Sequence, residues 1–146
     1  MFDKAILIAS QAHLGQRDKG GKPYILHPMR IVMRLQTDDE ELMCIAILHD
    51  AVEDSELTFE ELVQYGFSDR VVSALRLLTH QGGQSYDNYI EAMKGNRDAL
   101  RVKREDLRDN SDITRLKGVR EKDFQRMEKY VRAFTKINEY LKEFNF

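Results

Sequence analysis

Apolar residues recur at intervals of three and four along most of the chain, and no stretch shows the alternation that a half-buried strand requires. Phe2, Ala5, Ile6, Ala9 and Ala12 form a first amphipathic helix that ends near Gly15, and Gly20-Gly21 opens a loop. Pro28 stands in the first turn of a second helix, where its missing N–H costs nothing; Ile31, Val32 and Leu35 give the apolar side, and His27 falls just before the start. Thr37-x-x-Glu40 and Thr58-x-x-Glu61 both fit capping boxes, which predicts helices over about 39–52 and 59–65. Ser68, Ser85 and Asn96 are placed to cap three more, the last reaching to about Leu116. Phe124, Met127, Val131, Phe134, Ile137, Leu141 and Phe144 keep helical spacing over a long C-terminal helix, whose apolar stripe is expected to close the bundle.

This pattern predicts an all-α, compact multi-helix bundle, with residues 1–146 as a single domain and no internal repeat or linker. With 146 residues and 42% hydrophobic side chains, the chain can bury one core without disulfides. Its one cysteine, Cys44, lies inside an apolar run and reads as a small core residue, which suits a reducing compartment. No segment approaches the roughly 20 apolar residues that span a bilayer, so a cytoplasmic protein with no membrane partner is expected. A net charge of −2 with both signs interspersed excludes a broad basic surface for duplex nucleic acid. An anionic small molecule must then be held by local charges or a metal.

The apolar run Leu42–Leu48 ends abruptly in His49-Asp50, followed by Glu53-Asp54. On one continuous helix His49 lies over Glu53 and Asp50 over Asp54, so all four share a patch. Imidazole and carboxylate side by side suit a divalent transition metal such as manganese, iron or zinc; a solvated helix end carrying a chance His-Asp pair is the alternative. Further on, Lys103, Asp106 and Asn110 form one polar stripe, as ordinary solvent-facing residues also would.

Taken in order, His27, His49-Asp50 and Asp106 resemble the two-histidine, two-aspartate ligand set of the HD superfamily of metal-dependent phosphohydrolases. The flanking residues narrow this. Ala12-His13-x-Gly15-Gln16, Gly21-x-Pro23-Tyr24-Ile25-x-His27-Pro28, Leu48-His49-Asp50-Ala51-Val52-Glu53-Asp54 and Val102-Lys103-x-x-Asp106-x-x-x-Asn110 are similar to the hydrolase domain of RelA/SpoT-type alarmone enzymes over most of residues 5–116. The resemblance implies an all-helical HD-domain fold, and manganese-dependent removal of the 3′-diphosphate from ppGpp and pppGpp. It implies that His27, His49, Asp50 and Asp106 hold Mn2+ and that Glu53 and Asp54 orient or deprotonate the attacking water. Arg17, Lys19 and Asn110 are the expected substrate-binding residues for a phosphorylated nucleotide.

Two departures bear on substrate recognition. Alarmone hydrolases commonly carry an Arg-Lys pair where this chain has Asp18-Lys19, with Arg17 one position earlier; and Arg-Leu-His-Asn is replaced by Leu107-Arg108-Asp109-Asn110. Another HD-type activity, a nucleotide monophosphatase or cyclic-nucleotide phosphodiesterase, is therefore the competing enzyme reading. A non-catalytic nucleotide-sensing HD domain is the reading from a different class. Oligomeric state is not legible. His13 is expected to pack beneath the glycine loop, Tyr24, Tyr86 and Tyr89 to lie in the core or pocket wall, and Lys103 to serve as a partner of Asp50 or Asp106.

Overall fold

The computed structural model describes residues 1–144; residues 145 and 146 of the expected single domain lie outside the described residues. Among the described residues nine α-helices follow in order: α1 Phe2–Ala12, α2 Leu26–Leu35, α3 Glu40–Leu48, α4 Ala51–Asp54, α5 Phe59–Gln64, α6 Asp69–Leu78, α7 Tyr86–Glu91, α8 Arg97–Asn110 and α9 Glu121–Leu141, with 3-10 turns at Ile113–Arg115 and Lys142–Phe144. Among the described residues there is no strand, only an isolated antiparallel bridge between Arg17 and Pro23. The all-α expectation holds.

α3 is the central rod. Leu42, Cys44, Ile45, Ala46, Ile47 and Leu48 are all buried, because α1, α2, α6 and α8 pack around it. Ala5 and Ala9 of α1 are fully buried, and their small side chains let that helix approach α3 closely. α2 contributes Ile31 and Leu35, α6 Val71, Leu75 and Leu78, and α8 Leu100, Val102 and Leu107. α9 packs along α8 and closes the bundle with Ala133, Ile137 and Leu141. Phe124 and Val131, expected in its apolar stripe, are instead about 60% exposed, since the stripe drifts around a straight helix of this length.

Side-chain caps define most helix starts. Thr58, Ser68, Ser85 and Asn96 each accept a hydrogen bond from the backbone N–H three residues on, as anticipated. Three boundaries differ from expectation. α3 is capped by Asp39, which accepts from the Leu42 N–H, while the Thr37 hydroxyl accepts from the Asp39 N–H and shapes the approach. α2 starts at Leu26, so His27 lies within its first turn; Pro28 is still tolerated because the first four N–H groups of a helix have no partner inside it. α8 stops at Asn110, well short of Leu116, and the chain turns through Ile113–Arg115 back toward the glycine loop.

Candidate metal centre

The most consequential difference is at His49-Asp50. The helix expected over 39–52 is broken there: α3 ends at Leu48, Asp50 takes φ −107° and ψ −1°, and α4 begins at Ala51. On a continuous helix neighbouring side chains diverge by about 100°; the break instead turns both inward, and Asp50 Oδ2 lies 3.0 Å from His49 Nε2. The shared ridge with Glu53 and Asp54 is thereby replaced by two separate helices.

α2 brings His27 and α8 brings Asp106 to the same point, so that one ligand atom from each of His27, His49, Asp50 and Asp106 lies within 4.8 Å of all the others. His27 Nε2 is 2.8 Å from Asp106 Oδ1 and 3.6 Å from Asp50 Oδ2. His49 Nδ1 is 2.7 Å from the Ala46 carbonyl, which can only accept, so Nδ1 carries a proton and Nε2 is the ring atom that faces the cluster. That Nε2 is buried and has no hydrogen-bond partner. Two imidazoles, two carboxylates and an orphaned ring nitrogen among them fit a divalent cation.

Charge balance within the cluster is set by its neighbours. Burial opposes ionisation of Asp106, yet the Lys103 ammonium, 2.7 Å from its Oδ2, and the His27 hydrogen bond hold its carboxyl well below the usual range. Asn110 donates to the other oxygen, Oδ1, at 3.0 Å. Asp50 accepts from the Tyr24 hydroxyl at 2.6 Å and is also kept ionised against its burial, chiefly by the charge of His49. Burial would lower the pKa of both histidines, but the surrounding carboxylates more than offset it and raise them.

Glu53 and Asp54 lie one turn beyond Asp50, outside the four-residue cluster. Glu53 Oε1 accepts the backbone N–H of His80 at 2.9 Å, and Asp54 Oδ2 accepts from Gln16 Nε2 at 3.1 Å. His13, buried as expected, steadies that contact, since its Nδ1 is 2.8 Å from Gln16 Oε1. Tyr89 is buried and donates its hydroxyl to the Leu78 carbonyl, while the Lys103 ammonium sits 5.1 Å over its ring.

A cleft of about 330 Å³ opens beside the cluster, with His27 and Tyr24 in its wall. Arg17, Lys19 and Asn110, the residues expected to bind substrate, all line it. Three further cations and aromatics were not anticipated: Arg115 from the turn after α8, and Arg126 and Tyr130 one turn apart on α9. The spacing of 126 and 130 marks one helix ridge, but nothing local ties that ridge to a cleft formed by residues 17–27. Asp109 was read as an acid beside Asn110; it is in fact fully buried and reaches His27, with its Oδ2 2.6 Å from Nδ1. The series Ala99, Val102, Asp106, Asp109 at spacings of three and four carried that signal, because it continues the buried face of α8.

No protein-family model matches the chain. It is 33% identical over 87 residues to a guanosine-3′,5′-bis(diphosphate) 3′-pyrophosphohydrolase of Aquifex aeolicus, a stretch that is 58% of this chain and 12% of that protein. It is 41% identical over 64 residues to the bifunctional (p)ppGpp synthase/hydrolase SpoT of Escherichia coli, 42% of this chain and 9% of that one. The chain therefore spans about a tenth of the length of these curated relatives. A solved structure described as that of a metazoan ortholog of SpoT that hydrolyzes ppGpp superposes with a TM-score of 0.73 at 22% identity, covering 99% of this chain and 95% of that one, which is a likeness of fold. The likeness to these curated hydrolases is thus confined to a part of their length, and the likeness to the solved structure is one of fold, over a chain whose described residues bring a His/Asp group together. Among the described residues no helix is long and apolar enough to cross a membrane.

Proposed function

We propose that this protein is a metal-dependent nucleotide phosphohydrolase that removes the 3′-diphosphate of ppGpp or pppGpp, with Mn2+ as the ion. The observation that carries the reading is the convergence of His27, His49, Asp50 and Asp106, with the His49 Nε2 left without a partner, beside a cleft lined by Arg17, Lys19 and Arg126. The names of the curated relatives support the substrate.

His27, His49, Asp50 and Asp106 would hold the ion, whose contribution when bound is Lewis acidity: it acidifies water and offsets charge on phosphorus. The remaining work falls to side chains. Glu53 and Asp54 orient the attacking water and one of them takes its proton, with Asp54 oriented by Gln16 and Glu53 by the His80 backbone. Water oxygen bonds to the phosphorus attached at the 3′ oxygen, the P–O3′ bond breaks with its electron pair going to the 3′ oxygen, which takes up a proton as the nucleotide's 3′-hydroxyl, and pyrophosphate is released. Arg17 and Lys19 meet the anionic groups in the cleft, and Asn110 fixes the Asp106 carboxylate through its donated hydrogen bond.

The test is hydrolysis of ppGpp by Mn2+-loaded protein with pyrophosphate and orthophosphate measured separately. Pyrophosphate release is expected. Orthophosphate from nucleoside monophosphates alone would favour the monophosphatase reading, opening of a cyclic diester would favour the phosphodiesterase, and binding of ppGpp without turnover would favour a sensing domain.

A further inference from the structure

We propose that Asp18, Arg115 and Asp109 form a positioning relay that ties the loop on the anion side of the cleft to the metal-facing histidine His27. Asp109 is the inner end. Its carboxylate can only accept, so His27 Nδ1, at 2.6 Å from Oδ2, must donate, and this turns Nε2 toward the cluster. Three guanidinium groups surround the acid: Arg30 donates Nε and Nη2 at 2.8 and 3.0 Å, Arg115 donates Nη1 at 2.8 Å, and Arg34 approaches at 3.5 Å.

Arg115 alone among them pairs with a second acid. The same Nη1 also donates to the Asp109 carbonyl at 2.7 Å, and Nη2 lies 3.2 Å from Asp18 Oδ2. Asp18 in turn organises the glycine loop: its Oδ1 accepts the N–H groups of Gly20 and Lys22, both at 2.9 Å, and its own N–H donates to the Lys22 carbonyl. A second, independent contact locks the same two segments. A Cβ on Gly20 would stand 2.3 Å from the Arg115 carbonyl oxygen, so the loop and the turn after α8 approach as closely as glycine permits. Lys19, which lines the cleft, lies inside this clamped loop.

Both acids occupy positions where the alarmone-hydrolase pattern has other residues, and the geometry gives the two departures one explanation. An acid at 18 and an acid at 109 flank a single arginine, whose planar fork bonds both at once. Neither Asp18 nor Arg115 makes a hydrogen bond to a proposed metal ligand. They are positioning residues, acting on His27 through Asp109 and on Lys19 through the loop.

The inference rests on the metal-binding part of the proposed function and not on its substrate. The experiment is Mn2+ titration, by calorimetry and by the loss of free-ion EPR signal, of wild type, Asp109→Asn, Asp18→Asn, Arg115→Gln, Arg115→Lys and the Asp18→Asn/Arg115→Gln double variant, each checked for wild-type circular dichroism. Asp109→Asn is expected to weaken Mn2+ about 10- to 100-fold, as loss of a partner behind a metal histidine does. Asp18→Asn is expected to weaken it by a few-fold in the presence of Arg115 and to add nothing in the Arg115→Gln background. Arg115→Lys, which keeps the charge without the fork, should behave as Arg115→Gln. Should Asp109→Asn not fold, the Asp18→Asn cycle decides alone, since it leaves every direct partner of His27 in place. Mn2+ affinity unchanged in Asp18→Asn, or equal and additive effects in the cycle, overturns the relay. A wild type that binds no Mn2+ overturns the metal reading and the relay together, whereas absence of ppGpp turnover touches only the substrate.

Discussion

Replacing Lys103 with methionine isolates the charge that balances the cluster. The Lys103 side chain is 12% exposed and that of Asp106 5%, and the two are 2.7 Å apart. Breaking a buried ion pair from one side costs about 3–5 kcal/mol, because the remaining charge stays desolvated. Asp106 Oδ1 keeps His27 and Asn110, but Oδ2 loses its one hydrogen bond, which argues for the lower end, about 3 kcal/mol. In a chain of this size each kcal/mol moves Tm by roughly 2–4 °C, so metal-free Lys103→Met should melt about 6–12 °C below wild type. Methionine retains the length and apolar body of lysine, which keeps a packing void from imitating the effect. A divalent ion placed among the ligands supplies the lost positive charge, so saturating Mn2+ should raise Tm more in the variant than in wild type. The assay is differential scanning calorimetry in EDTA and in Mn2+. A metal-free Tm within about 2 °C of wild type, or an identical rise with Mn2+ in both proteins, would refute the assignment of Lys103 as the counter-charge of Asp106.

Removing a ligand, in His49→Ala, should abolish stoichiometric Mn2+ by elemental analysis, whereas Glu53→Gln and Asp54→Asn should keep the ion and lose about 10²–10⁴-fold in turnover; depleted metal in the last two would show that they belong among the ligands. Gly20→Ala drives a Cβ against the Arg115 carbonyl and should lose about 1–3 kcal/mol in urea denaturation, with KM for ppGpp rising as the loop shifts. Cys44 is buried and its thiol is pushed up to about 11 by that burial, so at pH 8 a thiol reagent should label it only at the rate of unfolding; fast labelling of native protein would contradict the burial of α3.

The helix starts were legible because a cap is a local event: a Ser, Thr or Asn oxygen meets an N–H three residues away, and Thr58, Ser68, Ser85 and Asn96 do so. Thr37 failed as a cap because Asp39, closer to the apolar run, offers a stronger acceptor. The break at His49-Asp50 had no local mark, since neither glycine nor proline occurs there and the apolar pattern runs straight into it; attraction among charged groups from three helices defines that bend. Arg115, Arg126 and Tyr130 were missed for the same reason, being brought to Lys19 and Tyr24 only by tertiary packing. The tie between Asp109 and His27 was not legible because the two are 82 residues apart.

The position of His49 and Asp50 at the tip of a helix whose residues from Cys44 to Leu48 are all buried makes α3 a piston. Its last turn and a half has no solvent-facing side chain and so no slack in which to absorb a change of volume, and a substitution such as Ile45→Val or Leu48→Met is transmitted along the axis to two of the four converging side chains. Selection on the interior of this protein is consequently selection on the aim of its polar cluster as well. Variants chosen only for improved thermal tolerance should lose ground at the centre first when the change lies in α3, and little when it lies on α5 or on the outward side of α9.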